Sequence, residues 1–387
     1  MNSPDEPIGS SGEEERVEGG EGEVASERHS AVGGVIRRLW GVVSGVVLLI
    51  GIGAMLGTIL GLGNRYNHIL DLMSNFRLIY AEILVLSVIV MGLRQRWFWS
   101  SLMLLCLLIN LGFIAPLYLP AAKSVANATV EEGARGLRLL HVNVHNRNMD
   151  YEQVGKLMEE SDADLIFLQE VNTWWLMNLE GYFEGYDLHT PRPRSDAFGI
   201  AMFVKRGQSD EFKLIDAGLA DMTGGYNIPA IEATVRVQGQ TYSVLSLHTL
   251  PPIVPMDVRT WAGSYASVRN EQLVRAFEWA RNQPFPPVLI GDLNATPFSH
   301  PLSELMNPEG EVPVLVYSQQ GWGYAGTWPA QFPSWLRLPL DHCLVSPKLS
   351  AVDRRLGPQI GSDHLPLYVE ILPLERMNER LPPLPGR

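Results

Sequence analysis

Two uncharged apolar runs stand out in the first third of the chain. Residues 39–62 carry no charge and follow Arg37 and Arg38; residues 97–122 form a second such run, with Trp97, Phe98 and Trp99 at one end and Tyr118 near the other. Each is long enough to cross a bilayer as a helix. Between them, residues 78–93 are apolar apart from Glu82 and are bounded by Arg77 and by Arg94 and Arg96. That run falls short of the roughly 17–25 residues of an ordinary span, and snorkelling arginines extend it. Glu82 has two readings: a functional ionisable group inside a span, or a side chain one turn from the end that reaches the headgroups. Spans of about 39–62, 78–93 and 97–118 follow.

From residue 136 the pattern becomes that of a soluble domain. Residues 137–144 ("LRLLHVNV"), 164–170 ("DLIFLQE") and 286–292 ("PPVLIGD") are built on apolar runs and read as strands, the last two buried. Residues 197–206, 230–239, 241–249, 338–346 and 365–372 also read as strands, with "QGQ" at 238–240 joining 230–239 and 241–249 as a hairpin. Helical spacing appears in 150–160, through Tyr151, Val154, Leu157 and Met158, and in 267–282. Many strands with few helices, and hairpins alongside crossovers, predict an α+β domain of two packed sheets. The expected organisation is a disordered acidic tail (1–34), a membrane anchor (35–122), a linker (123–135), a catalytic domain (136–373) and a C-terminal tail (374–387).

Charge changes this picture little. Residues 1–30 hold nine acidic and two basic side chains, the composition of a disordered segment. Residues 136–387 hold 29 acidic and 20 basic side chains, without the basic excess of a general nucleic-acid binder. The two cysteines, Cys106 and Cys343, form no disulfide framework. Arg37, Arg38, Arg94 and Arg96 place two loops in the cytoplasm, so three spans put the catalytic domain outside it.

Chemistry gathers where the strands stop. Asn143, Glu170, His248, Asp292, Asn294, Asp341, Asp363 and His364 all follow or open apolar strands. Asp292 and Asn294 sit at i and i+2 and look into one space. Any one such residue is explained as turn chemistry; together they form a set of carboxylates, amides and imidazoles without thiolates. Oxygen ligands of this kind suit Mg²⁺ or Mn²⁺ rather than zinc. A carboxylate can activate water, an Asp-held His can meet charge on phosphorus, and a further His can protonate a leaving oxygen. Neither a G-x-S-x-G elbow nor a phosphate-cradling GxxxxGK[ST] loop occurs.

In order, "LLHVNVH", "DLIFLQEV", "FGIAMF", "LSLHT", "GDLNATP", "LDHCLVS" and "GSDHLPL" resemble the endonuclease/exonuclease/phosphatase superfamily with its DNase I-like fold. "GTWPA" at 326–330 and "RNEQL" at 269–273 resemble its membrane-anchored bacterial members. The resemblance implies a four-layered α/β sandwich and metal-dependent phosphoester cleavage. By that likeness Glu170 is the main metal ligand, with Asn143 beside it and Asp363 supporting the metal or its water. Asp292 orients or deprotonates the nucleophile, and Asn294 binds phosphate or orients Asp292. His364 contacts the scissile phosphate, Asp341 fixes its ring, and His248 serves the leaving group. His141, His145 and His189 are expected to be ordinary polar residues, His342 merely to follow Asp341, and Cys343 to be a core thiol.

The reading is thus a multi-pass, membrane-anchored, Mg²⁺- or Mn²⁺-dependent phosphoesterase. Its rivals are a nuclease acting on external DNA and an inactive, membrane-tethered binding module. A small or lipid-linked phosphoester is preferred to nucleic acid, because the domain is acidic and residues 249–263 are apolar, with Ile253, Val254, Met256 and Trp261. That loop either touches lipid or packs on the domain itself. Arg192 and Arg194 offer a local basic groove or an exposed loop.

Overall fold

The computed structural model describes residues 18–119, 128–130, 133–182, 184–252 and 263–379. The strands β2 (Leu137–Asn143), β3 (Leu165–Gln169), β5 (Ile200–Lys205) and β4 (Tyr186–Arg192) form one half of a six-stranded sheet, completed by β12 (Leu349–Leu356) and β13 (Leu367–Pro373) in the order β12-β13-β2-β3-β5-β4. A second six-stranded sheet has the order β10-β11-β9-β8-β7-β6, from β6 (Phe212–Asp221), β7 (Pro229–Val237), β8 (Gln240–Ser246), β9 (Pro287–Asp292), β10 (Val316–Tyr317) and β11 (Asp341–Val345). The pairs β2–β3 and β8–β9 are parallel, and each needs a crossover. Helix α5 (Tyr151–Ser161) provides the first and α7 (Gly263–Arg281) the second.

Alternation along the strands explains the layering. Leu139, Phe167, Val244, Ile290 and Val369 point between the sheets and form the central core. Their neighbours Leu140, Ile166 and Phe203 point outward against Val154 and Met158 of α5 and Trp175 of α6 (Thr173–Leu179). On the other side Leu245, Leu289 and Leu344 pack under Leu273 and Phe277 of α7 and Leu302 of α8 (His300–Met306). Helix, sheet, sheet and helix give the expected four-layered sandwich. Among the strands missed by the hydrophobic pattern, β4, β6 and β12 are sheet edges, and most of their residues are exposed or half-buried.

Three long helices precede the sandwich: α1 (Glu18–Gly61), α3 (Arg77–Leu93) and α4 (Trp97–Tyr118), with a short α2 (His68–Ser74) before α3. Residues 34–61 and α4 are each long and apolar enough to cross a membrane; α2 and α3 reach that length only together, across a 57° bend. Helix α1 runs parallel to α4, where Asn110 Nδ2 donates to Thr58 Oγ1 at 2.8 Å, and antiparallel to α3, where Ser87 Oγ reaches Val47 O at 3.5 Å. Such interhelical polar contacts are the glue of apolar bundles.

Two boundaries differ from expectation. Helix α1 begins at Glu18, inside the segment expected to be a disordered tail; once the apolar run has nucleated a helix, preceding residues extend it without a new nucleus. Residues 1–17 lie outside the described residues. The expected linker and C-terminal tail meet: β1 (Ala128–Val130) pairs antiparallel with β14 (Met377–Glu379). The apolar loop segment 253–262 also lies outside the described residues.

Candidate functional site

The inward-facing positions of the core strands turn polar at one end of the inter-sheet space. On β2, Leu137 and Leu139 are core, and the same face continues with His141 and Asn143. Gln169, Asp292 and Asp341 occupy the equivalent places on β3, β9 and β11. Gln169 links the sheets, its Oε1 accepting from Asp292 N at 3.2 Å and its Nε2 donating to Ser246 Oγ at 3.4 Å. The site is therefore the polar end of the central core, set on rigid strands.

Asp292 is 2% exposed. Its Oδ1 accepts from the Asn294 N–H at 2.9 Å, and its Oδ2 lies 3.6 Å from both His248 Nε2 and His364 Nε2. Burial pushes the Asp292 carboxyl up to about 6; His364 and His248 pull it down, while Asp341 pushes it up. Asn294, at φ +45°, orients Asp292 through its backbone, and its Nδ2 donates to Thr249 O at 2.9 Å.

Asp341 is fully buried between two imidazoles. Its Oδ2 meets His364 Nδ1 at 2.8 Å and its Oδ1 meets His141 Nε2 at 2.7 Å. Burial opposes its charge, but the two histidines hold its carboxyl well below the usual carboxylate range. Burial pulls His364 down as well, yet Asp341 and Asp292 outweigh it and raise the ring to about 10. His141 is thus a member of this network and not the ordinary polar residue expected. Its position two before Asn143, on the same strand face, was the available signal.

Glu170 follows β3 at φ +63° and swings out of the strand toward the site. Asn143 Nδ2 donates to Glu170 Oε1 at 3.1 Å and lies 3.4 Å from Asp292 Oδ2, while its Oδ1 accepts from His145 N at 3.0 Å. The amide nitrogen therefore faces the two carboxylates, while the oxygen is engaged by the His145 N–H. His145 also departs from expectation: its Nδ1 meets Asp363 Oδ1 at 2.8 Å, and Trp328 Nε1 donates to Asp363 Oδ2 at 3.1 Å. Asp363 has both oxygens engaged and is held beside the site.

Glu170, His248, Asp292, Asn294, Asp363 and His364 all line one cavity of about 440 Å³. The structure thus gathers these six at a single opening, with Asn143 and Asp341 directly behind them. Asp292, Asp341 and His364 bring ligand-type atoms within 4.8 Å of one another. Asp341 has both oxygens taken by histidines, and Asp363 has both engaged as well, which leaves Glu170 and Asp292 as the other carboxylates on the cavity wall; the Glu170 oxygens accept only amide N–H bonds, from Asn143 Nδ2 and Asn146 N at 3.1 Å each. These two carboxylates fit a hard cation: they are oxygen donors only, and a buried carboxylate that burial drives toward its neutral form gains most from a nearby positive charge. His342 and Cys343 have other roles: His342 Nε2 donates to Ala295 O at 2.8 Å on the far face of β11, and Cys343 is a buried core thiol that burial pushes up to about 12.

Among curated proteins none matches this sequence. Solved structures of similar shape include a functionally unknown conserved protein from Enterococcus faecalis, at 17% identity and TM-score 0.47 over 61% of this chain and 99% of that one. A humanized D. rerio TDP2 aligns at 16% identity and TM-score 0.48, covering 62% and 100% of the two chains. A mannosyl-6-phosphatase from Bacteroides thetaiotaomicron aligns at 19% identity and TM-score 0.45, covering 61% and 99%. The decisive comparison is with a family profile, which matches residues 140–364, from β2 through His364, and so spans every strand end described above. The chain belongs to the endonuclease/exonuclease/phosphatase family.

Proposed function

We propose that this chain is a membrane-anchored, divalent-cation-dependent phosphoesterase that hydrolyses a small or lipid-linked phosphoester by in-line attack of water, with its catalytic domain outside the cytoplasm. The observation that supports it best is Asp292 Oδ2, 3.6 Å from the Nε2 atoms of both His248 and His364, on the wall of a cavity that Glu170 shares. Asp292, fixed by the Asn294 N–H, accepts the proton of the attacking water. His364, kept charged by Asp341, meets the negative charge that develops on phosphorus. His248 has no partner at Nδ1 and stands on the other side of Asp292 Oδ2, placed to protonate the leaving oxygen. Glu170 is the residue to hold Mg²⁺ or Mn²⁺, with Asn143 aligning its carboxylate. A cation there polarises a phosphoryl oxygen as a Lewis acid.

No Lys or Arg lines the cavity among the described residues, and Arg194 is paired with Asp196 at 2.6 Å. Binders of duplex DNA work by neutralising phosphates with such side chains, so this site favours a smaller substrate. The test uses the full chain in lipid nanodiscs against bis-p-nitrophenyl phosphate, a phosphomonoester, phospholipid and plasmid DNA at about 0.15 M salt. Activity is expected on a small or lipid ester, to stop with EDTA, and to need more Mg²⁺ in Glu170→Gln. Full activity in EDTA removes the metal from the reading; efficient cleavage of plasmid alone makes the chain a nuclease; inertness toward every ester makes it a binding module.

A further inference from the structure

The wall of the catalytic cavity is not built by the catalytic domain alone. Leu72 and Asn75 from the end of α2, and Phe76 from the bend before α3, line it together with Phe198, Pro251 and Leu338. These three come from the helical unit that carries the membrane spans, more than 60 residues before β2. We propose that this α2–α3 corner is a specificity-determining part of the active site, and that Leu72 and Phe76 receive the hydrocarbon chain of a lipid phosphoester whose phosphate lies at Asp292 and His364. The proposal rests on the phosphoesterase reading above and assigns that site its substrate class.

The corner is held in place rather than laid against the domain. Asp71, 3% exposed, accepts from Arg269 Nη2 at 3.2 Å, Ser299 Oγ at 2.9 Å and His300 N at 2.7 Å. Arg269 is itself 1% exposed, and its Nη1 donates to Asn294 O at 3.2 Å, so the latch leads directly to a residue of the site. Asn75 Oδ1 accepts from Thr296 Oγ1 at 2.6 Å and Thr296 N at 3.2 Å; Ser74 Oγ donates to Phe298 O at 2.9 Å. The bundle grips the same corner from its other side. Arg77, next to Phe76, donates from Nη2 to Gly61 O at 3.3 Å and lies over the Phe113 ring at 3.7 Å. A buried acid satisfied by three donors is costly to disrupt, so the corner has one position.

Chemistry then selects the occupant. The cavity lining combines carboxylate, amide and imidazole groups with the apolar side chains of Leu72, Phe76, Phe198, Pro251 and Leu338. Such a mixed lining matches an amphiphile with a phosphate at one end and alkyl at the other. Leu72 and Phe76 are only half buried and belong to a corner that leads directly into α3, so an alkyl chain passing over them continues along an apolar helix. A sugar phosphate, polar along its whole length, would not use those apolar side chains.

The experiment compares methyl, butyl and octyl p-nitrophenyl phosphate with the full chain in nanodiscs. Scissile bond and leaving group stay constant while only the tail grows. In the wild type kcat/KM is expected to rise by about 10-fold or more from methyl to octyl, through KM, given a few-fold per buried methylene. Phe76→Ala and Leu72→Ala should each remove several-fold of that gain, read within each variant as the ratio of octyl to methyl kcat/KM. Binding of octylphosphonate to the Asp292→Asn protein gives a second readout that needs no turnover, and Phe76→Ala should weaken it. Weakened binding supports the corner even where no ester is hydrolysed, in which case the phosphoesterase reading fails alone. A chain-length gain that both variants keep, or octylphosphonate binding indifferent to both, overturns the assignment.

Discussion

Asp341 shows how far a single carboxylate can organise a site. Both its oxygens are spent on imidazoles, His364 at 2.8 Å and His141 at 2.7 Å, and it has no exposed surface. Its function is therefore exercised through His364, and the two should behave as one device. Losing His364 is expected to lower kcat on the order of 10²–10⁴-fold, and losing Asp341 as well should add little. Steady-state kinetics of the two alanine variants and the double variant measure this; additive losses would separate the pair. The next residue, His342, is a pH liability of another kind. Burial pulls its ring from the usual 6.5 down to about 4, and it stays neutral while donating to Ala295 O. Between pH 6.5 and 4 the unfolded chain takes up a proton at this ring that the folded chain refuses. Stability is thus unaffected above pH 6.5 and falls as pH drops through that window, by up to about 3 kcal/mol. Thermal melts at pH 7 and pH 4.5 should show a smaller drop for His342→Gln than for the wild type. The main site residues were legible because each lies at a strand end in a recognisable order. His141 was only half legible: its place on the same strand face as Asn143 could be read, but not that a carboxylate 200 residues away faces it.

At the scale of elements, what the sequence reveals is burial. The strands covered on both faces, β2, β3, β8 and β9, read directly as apolar runs, and the hairpin between β7 and β8 read from its turn: Gln238 and Gly239 both have positive φ, as a two-residue turn of the primed kind requires. Edge strands fail that test because pairing, not apolarity, holds them. One position on β9 joins fold to chemistry. Gly291 has φ +150°, and a Cβ there would stand 2.0 Å from Leu247 O, on the backbone of the neighbouring segment. Its absent side chain lets the segment carrying His248 lie against β9, which carries Asp292. Gly291→Ala must open that approach or strain the backbone. It is expected to lower stability by about 2 kcal/mol or more and to reduce turnover by misplacing both side chains. A variant with wild-type melting temperature and kcat would show that the close approach is dispensable.

The whole molecule is ordered along one axis. The C-terminal end of α1, the start of α3 and the end of α4 all meet the sandwich: Asn64 Nδ2 donates to Phe298 O at 3.3 Å, Asn75 accepts from Thr296, and Leu117 O accepts from Gly321 N and Gly323 N at 2.9 Å each. Arg94 and Arg96 lie at the other end of α3, and Arg37 and Arg38 far up α1 from Gly61. The short run 78–93 was the weak point of the sequence reading, since its length alone did not decide whether it crosses. Helix α3 packs antiparallel to α1 and forms a hairpin with α4, and it reaches spanning length only together with the preceding α2, across a 57° bend. Four arginines at the end remote from the sandwich favour that end in the cytoplasm, because basic loops resist export. The proposed placement of the catalytic domain outside the cytoplasm requires three crossings. Protease added to spheroplasts expressing the chain should therefore digest residues 136–379 while an epitope at the N-terminus stays protected until the membrane is opened. If the domain is protected and the N-terminal epitope is also protected, α3 does not cross, the bundle has two spans, and the cavity faces the cytoplasmic leaflet instead.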